Sequence, residues 1–137
     1  MASCATLATL FSACGGSPTS PSRAASMLGV VPGRFAGSGV QVTVAGSPLD
    51  NVGGAALVES TAGVFLVSRT NTAAFMAVDA ICSHESCTVT GADGNVYVCP
   101  CHGSRYSRTG QVLEGPAKAS LRQFPTTFAD GVVTISV

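Results

Sequence analysis

Both histidines of the chain, His84 and His102, and four of its six cysteines, Cys82, Cys87, Cys99 and Cys101, fall into one short stretch. Any fold this chain adopts must bring those side chains to a common place, so the cluster constrains it more than any other feature. Clustered cysteines with adjacent histidines read first as a metal site. The rest of the chain makes such a staple useful. Its 137 residues suffice for one domain with a small core, and such a domain gains from a metal or a disulfide.

The cluster divides into two segments, Cys82-Ser83-His84-Glu85-Ser86-Cys87 and Cys99-Pro100-Cys101-His102-Gly103-Ser104. Each offers a thiolate and an imidazole from one loop. A [2Fe–2S] cluster takes four protein ligands, and two thiolates suit one iron while two neutral imidazoles suit the other. Replacing anionic sulfur by neutral nitrogen leaves such a cluster less negative. Its potential moves from about −400 mV into a range of about −150 to +300 mV. Cys₂His₂ is also a common zinc set. Zinc modules space paired ligands about two to four residues apart, whereas a single residue separates Cys82 from His84. Zinc would also leave two cysteines without a role, so spacing and count favour iron and sulfur.

Seven Lys and Arg balance seven Asp and Glu, and the cations are scattered singly. No basic stripe exists to track phosphates, which excludes nucleic acid as an expected partner. No run of apolar residues is long enough for a transmembrane helix. Residues 5–11 form a short apolar run followed by Ser12-Ala13-Cys14-Gly15-Gly16-Ser17. That pattern resembles the lipobox of a bacterial lipoprotein, which would make 1–14 a signal segment and Cys14 a lipidated mature N-terminus on the periplasmic side. Against it, no Lys or Arg precedes Arg23, and Phe11 stands where such boxes usually carry Leu. A plain tail with two unremarkable cysteines is the other reading. Residues 15–39, rich in Gly, Ser, Pro and Ala, have the composition of a flexible linker.

Beyond residue 39, short β-type runs alternate with turn residues. Strands are expected over 40–45, 55–59, 64–69, 74–78, 96–98, 125–128 and 132–137. Thr61-Ala62-Gly63, Asp93-Gly94-Asn95 and Asp130-Gly131 mark tight turns between them. Nothing after residue 40 combines a helical period with caps. The pattern predicts one all-β domain over 40–137.

The two segments resemble the two boxes of the Rieske family, C-x-H-x-G-C and C-x-C-H-x-S. One departure is Ser86, where the family pattern has Gly; a small residue is kept. The resemblance implies a small antiparallel β-sandwich with two cluster-binding loops and one [2Fe–2S] cluster per chain. It implies Cys82, His84, Cys99 and His102 as ligands and a disulfide between Cys87 and Cys101. Ser104 and Tyr106 stand where high-potential members place hydroxyls that donate to a bridging sulfide and to the first cysteine ligand's sulfur. Such donors stabilise the reduced cluster and raise its potential. Gly115-Pro116-Ala117 resembles the proline loop that covers the cluster in this family.

Within the family, the disulfide distinguishes proteins of quinol–cytochrome complexes from the ferredoxins and oxygenase components, and it fits an oxidising compartment. The implied function is electron transfer from quinol, in a membrane complex with a cytochrome b, to a cytochrome c-type acceptor. An exposed imidazole, His84 or His102, would accept the quinol's hydrogen bond and its proton. Membrane association would rest on an anchor at Cys14 rather than on a transmembrane helix. Two other readings share the motif: the small subunit of an arsenite-oxidase-like molybdenum oxidoreductase, and a ferredoxin feeding an oxygenase.

Overall fold

The computed structural model describes residues 25–137. The proposed signal segment, Cys14 and the first part of the expected linker lie outside those residues. Among the described residues no helix is long and apolar enough to cross a membrane, and the only helical element is a 3-10 turn at Pro48–Asp50.

The all-β expectation holds, and the strands form three sheets. The first contains β1 (Ser26–Met27), β8 (Gly91–Asp93), β9 (Val96–Val98), β10 (Arg105–Ser107) and β11 (Val112–Glu114), paired in that order. The second runs β12 (Gln123–Phe124), β7 (Phe75–Asp79), β6 (Gly63–Arg69), β5 (Ala55–Ser60) and β2 (Gly29–Pro32). The third runs β13 (Thr126–Ala129), β14 (Val132–Ser136), β4 (Gly39–Thr43) and β3 (Arg34–Ala36). All pairs are antiparallel except β2 with β5.

The second sheet is the middle layer, and its apolar runs show why. Ala56, Val58, Phe65, Val67 and Ala77 enter one core with Val40, Val42, Val133 and Ile135 of the third sheet. The intervening Leu57, Leu66 and Val78 face the other way, into a core with Tyr97, Tyr106 and Leu121. With both faces covered, β5 and β6 lose the apolar/polar alternation of a half-exposed strand. The outer β4 keeps it: Val40 and Val42 are buried, Gln41 and Thr43 exposed. Each fully buried Val, Leu or Phe contributes about 1.5–3 kcal/mol, so this middle layer carries much of the stability.

Two hairpins follow the turn chemistry of the sequence. Asp130 and Gly131 both have positive φ, at 52° and 73°, between the paired residues Ala129 and Val132. Gly94, at φ 57°, serves the Asp93–Val96 turn in the same way. Both match the right-handed twist of the strands they join.

The expected linker over 15–39 is corrected for its described part. Residues 26–36 hold the three short strands β1, β2 and β3, and they lace the three sheets together. β1 pairs with β8, β2 with β5, and β3 with β4. Backbone pairing needs no apolar alternation, so Gly/Ser/Pro composition concealed it; Val31 alone of β2 is buried. Gly33 sits where the segment crosses from the second sheet to the third. A Cβ there would meet Val40 Cγ1 at 2.5 Å and Val58 Cγ1 at 2.8 Å. The small antiparallel β-sandwich expected from the family is present, built from three sheets around a shared middle layer.

Candidate metal centre

Two loops leave the core of Tyr97 and Tyr106 side by side. The first follows β7 and is closed by an Ile81–Thr88 bridge, with Cys82 N–H donating to Cys87 O at 2.7 Å. The second joins β9 to β10; Cys99 N–H donates to Ser104 O at 2.8 Å, and Gly103 N–H to Cys99 O at 3.0 Å. Gly103 turns the chain at φ 77°, a conformation that favours glycine. Cys87 and Cys101 join the loops in a disulfide, with Cα atoms 6.5 Å apart.

The remaining donors separate by burial. Cys82 and Cys99 are 5% and 1% exposed, while His84 and His102 lie at the surface. The two imidazole rings stand edge to face with centroids 5.2 Å apart. Cys99 converges with the disulfide sulfurs, and His84 converges with His102 and Glu85. Thiols inside and imidazoles outside suit two irons carrying unlike ligand pairs. Around a single tetrahedral zinc ion they would converge on one point.

Hydroxyls surround the thiols. Tyr106, fully buried in the core it shares with Tyr97 and Leu121, places its hydroxyl 3.2 Å from Cys82 Sγ. That oxygen accepts from Ser83 N–H at 3.3 Å, and its own proton faces both Cys82 Sγ and Ser83 Oγ. Ser104, also fully buried, accepts from Ala117 N–H at 3.0 Å, and its hydroxyl proton is free to donate. Burial pushes the Cys82 thiol up, but hydrogen bonds from Tyr106 and from the backbone of His84 and Glu85 outweigh it. Together they bring Cys82 from 9.0 to about 7, so a good share is thiolate at neutral pH. Cys99 is pushed up by burial, and the neighbouring Cys82 adds to the shift. Two thiols of unequal acidity therefore sit within reach of each other. Such a pair would hold a metal as thiolates, and binding it would release the remaining proton.

The segment after β11 passes over this centre. It includes a cis peptide bond at Gly115-Pro116. Of the expected cover, Ala117 packs inward, while Gly115 and Pro116 stay at the surface.

Sequence reasoning missed three participants. Ser83, an unspecified position of the first box, bridges the Tyr106 hydroxyl at 3.1 Å and donates to Ala119 O. Ala119 and Ser83 are 36 positions apart, so no local spacing could reveal the contact. Glu85, also an unspecified position, brings a carboxylate oxygen to 3.5 Å from His102 Nδ1. Its only signal in the sequence is a charge inside a loop otherwise made of Ser, His and Cys.

Residues 36–125 match the Rieske [2Fe–2S] domain. A cytochrome b6-f complex iron–sulfur subunit of Synechococcus elongatus is 38% identical over 90 residues, which cover 63% of this chain and 50% of that protein. The corresponding subunit of Prochlorococcus marinus is 45% identical over 60 residues, covering 43% of this chain and 34% of that protein. The chain thus spans between a third and a half of the length of these curated relatives. Among solved structures, the cyanobacterial plasma membrane Rieske protein PetC3 from Synechocystis PCC 6803 superposes with a TM-score of 0.54 at 28% identity. That match covers 61% of this chain and 86% of that one. With the family matched across more than half of its length and both loops in place, the chain belongs to the Rieske [2Fe–2S] family.

Proposed function

We propose that Cys82 and Cys99 hold one iron of the cluster, that His84 and His102 hold the other, and that the domain carries electrons from quinol to a cytochrome. The observation that carries this reading is the burial contrast: closed thiols, hydroxyl donors behind them, and two imidazole edges open to a partner. When bound, the cluster supplies a one-electron couple at the surface. Tyr106 and Ser104 hold their protons toward the sulfur side, which favours the reduced state. The exposed imidazole edge of His84 or His102 accepts a hydrogen bond from a quinol hydroxyl and holds the transferred proton. The relatives' naming as cytochrome b6-f subunits supports a quinol-oxidising membrane complex as partner. In this reading, Cys14 is lipidated and holds the domain on the periplasmic side of the membrane.

Electron paramagnetic resonance of the dithionite-reduced protein tests the centre. The expected result is the low-average-g Rieske signal, and its absence sinks the ligand assignment. A redox titration against pH tests the quinol role. A high midpoint that falls above neutral pH supports it, and a low, pH-independent midpoint supports a ferredoxin instead. Mass spectrometry of the mature N-terminus tests the anchor, and an unmodified Met1 ends that part of the proposal.

A further inference from the structure

The hydroxyls of Ser104 and Tyr106 stand on the inner side of the centre. The outer side carries something of opposite electrical sense. Glu85, on the first loop, reaches across to the second loop and brings its carboxylate to 3.5 Å from His102 Nδ1. His84, Glu85 and His102 converge at the tip, with donor atoms all within 4.8 Å of one another. No other acidic side chain belongs to that group. Both members of the Glu85–His102 contact are about half exposed, at 56% and 48% of their side-chain area.

An anion at this place acts on electron uptake by Coulomb's law alone. Reduction adds one negative charge to this end of the molecule, and a carboxylate nearby opposes it. The inner hydroxyls are neutral and stabilise that charge by donating hydrogen bonds. Glu85 also differs from them in being exposed. Its influence passes partly through water and depends on the ionic strength, whereas that of a buried hydroxyl does not.

We propose that Glu85 is a positioning residue that sets the reduction potential from outside, lowering it against the raising effect of Ser104 and Tyr106. This inference rests on the assignment of His102 as a ligand. It gives the chain a second control on the same couple, placed where an incoming partner can reach it. A partner that docks on the tip with a cationic group neutralises the carboxylate. Reduction then becomes more favourable while that partner is bound.

The test is a redox titration of the cluster-loaded full chain, comparing the parent with Glu85→Gln and Glu85→Lys at low and at high salt. In about 0.01 M salt, Glu85→Gln is expected to shift the ratio of reduced to oxidised protein at fixed potential about fivefold toward reduced. For one electron that is about 40 mV upward. Glu85→Lys should shift it in the same direction by about twice as much, measured in millivolts. In about 1 M salt, where the screening length falls to about 3 Å, both shifts should shrink markedly. A midpoint unchanged by either substitution overturns the inference. So does a shift that persists undiminished in high salt, which would mark a rearranged loop. Resonance spectra recorded on the same samples separate the two levels of the reading. A parent protein without the Rieske signal removes the ligand assignment, and the inference falls with it. An intact signal with an unmoved midpoint removes the role of Glu85 alone.

Discussion

The lobe that carries the cysteines and the base beneath it are held together by different forces. The base, built from the second and third sheets, has strands of up to seven residues and a core of Val, Leu, Ile and Phe side chains. The lobe has strands of two or three residues. Its interior mixes two tyrosines and two thiols with a few aliphatic side chains. What it lacks in apolar burial it replaces with specific links: a disulfide, side-chain hydrogen bonds around Cys82, and an ion pair between Arg105 and Asp93 at 2.7 Å. Apolar burial is non-directional and tolerates exchange among similar residues. Hydrogen-bonded networks hold atoms in fixed places, and when partly broken they become a liability. A site that must hold a cluster near the surface benefits from the second kind of construction, and it can afford this because the first kind supports it from below.

The contrast breaks most completely at the proposed ligands. Cys99→Ser should abolish both the visible absorption of the cluster and its resonance signal. In hydrogen exchange, amides of β8–β10 should then lose protection while those of β5, β6 and β14 keep theirs. Equal loss across both regions would show that they are one cooperative unit. Leu66→Ala tests the layer they share. This fully buried residue faces the lobe from the middle sheet, and its truncation should cost about 2–5 kcal/mol in denaturant unfolding, felt on both sides. Replacing Cys87 and Cys101 together by Ser opens a loop of sequence separation 14 and should cost about 3 kcal/mol, with the loss of protection confined to the lobe. Tyr106→Phe removes the hydroxyl beside Cys82 and leaves the ring. The midpoint should fall by about 40 mV, as expected for losing one hydrogen bond of about 1 kcal/mol, while thermal stability changes little.

The smallest effect concerns Tyr97, the lobe's other buried tyrosine, whose hydroxyl makes no hydrogen bond. Burial pushes its phenol above 10.0, although Arg108 and Ser68 pull it back. With the folded value raised, the neutral phenol contributes stability in full below pH 10, and that stability is lost as pH rises beyond it. Tyr97→Phe should therefore change stability by less than about 1 kcal/mol at neutral pH. Its stability should also decline less steeply above pH 10. A steeper alkaline decline than the parent's would contradict the assignment.

How much of this was legible in the sequence depended on how local each cause was. The hairpin turns at Asp93-Gly94-Asn95 and Asp130-Gly131 are fixed by residues that tolerate positive φ, and they could be read directly. The Cys and His spacings likewise carried the two loops and the family. Strands β8, β10, β11 and β12 were not foreseen, because unlike Val96-Tyr97-Val98 of β9 these short pieces carry no run of β-branched and aromatic residues. Neither was the pairing of residues 26–36, whose partners lie up to 66 positions away, as Ser26 does from Ala92. The contact of Ser83 with Ala119 and the reach of Glu85 across to His102 escaped for the same reason. Both depend on which loop lies beside which, and that is decided by the whole fold.

The laced segment over residues 26–36 also defines a load path. Any pull arriving along the chain from its N-terminal side meets the pairs Ser26–Ala92 and Met27–Gly91 first, and these join it to the edge of the cysteine-bearing sheet. Only when those two pairs have parted does the tension reach the four pairs that β2 makes with the middle layer. Gly33, wedged against Val40 and Val58, comes after them. A tether at this end would therefore tug on the electron-carrying lobe before it strained the foundation. Seen mechanically, the molecule has its weak seam beside its working part and its strong seam behind it.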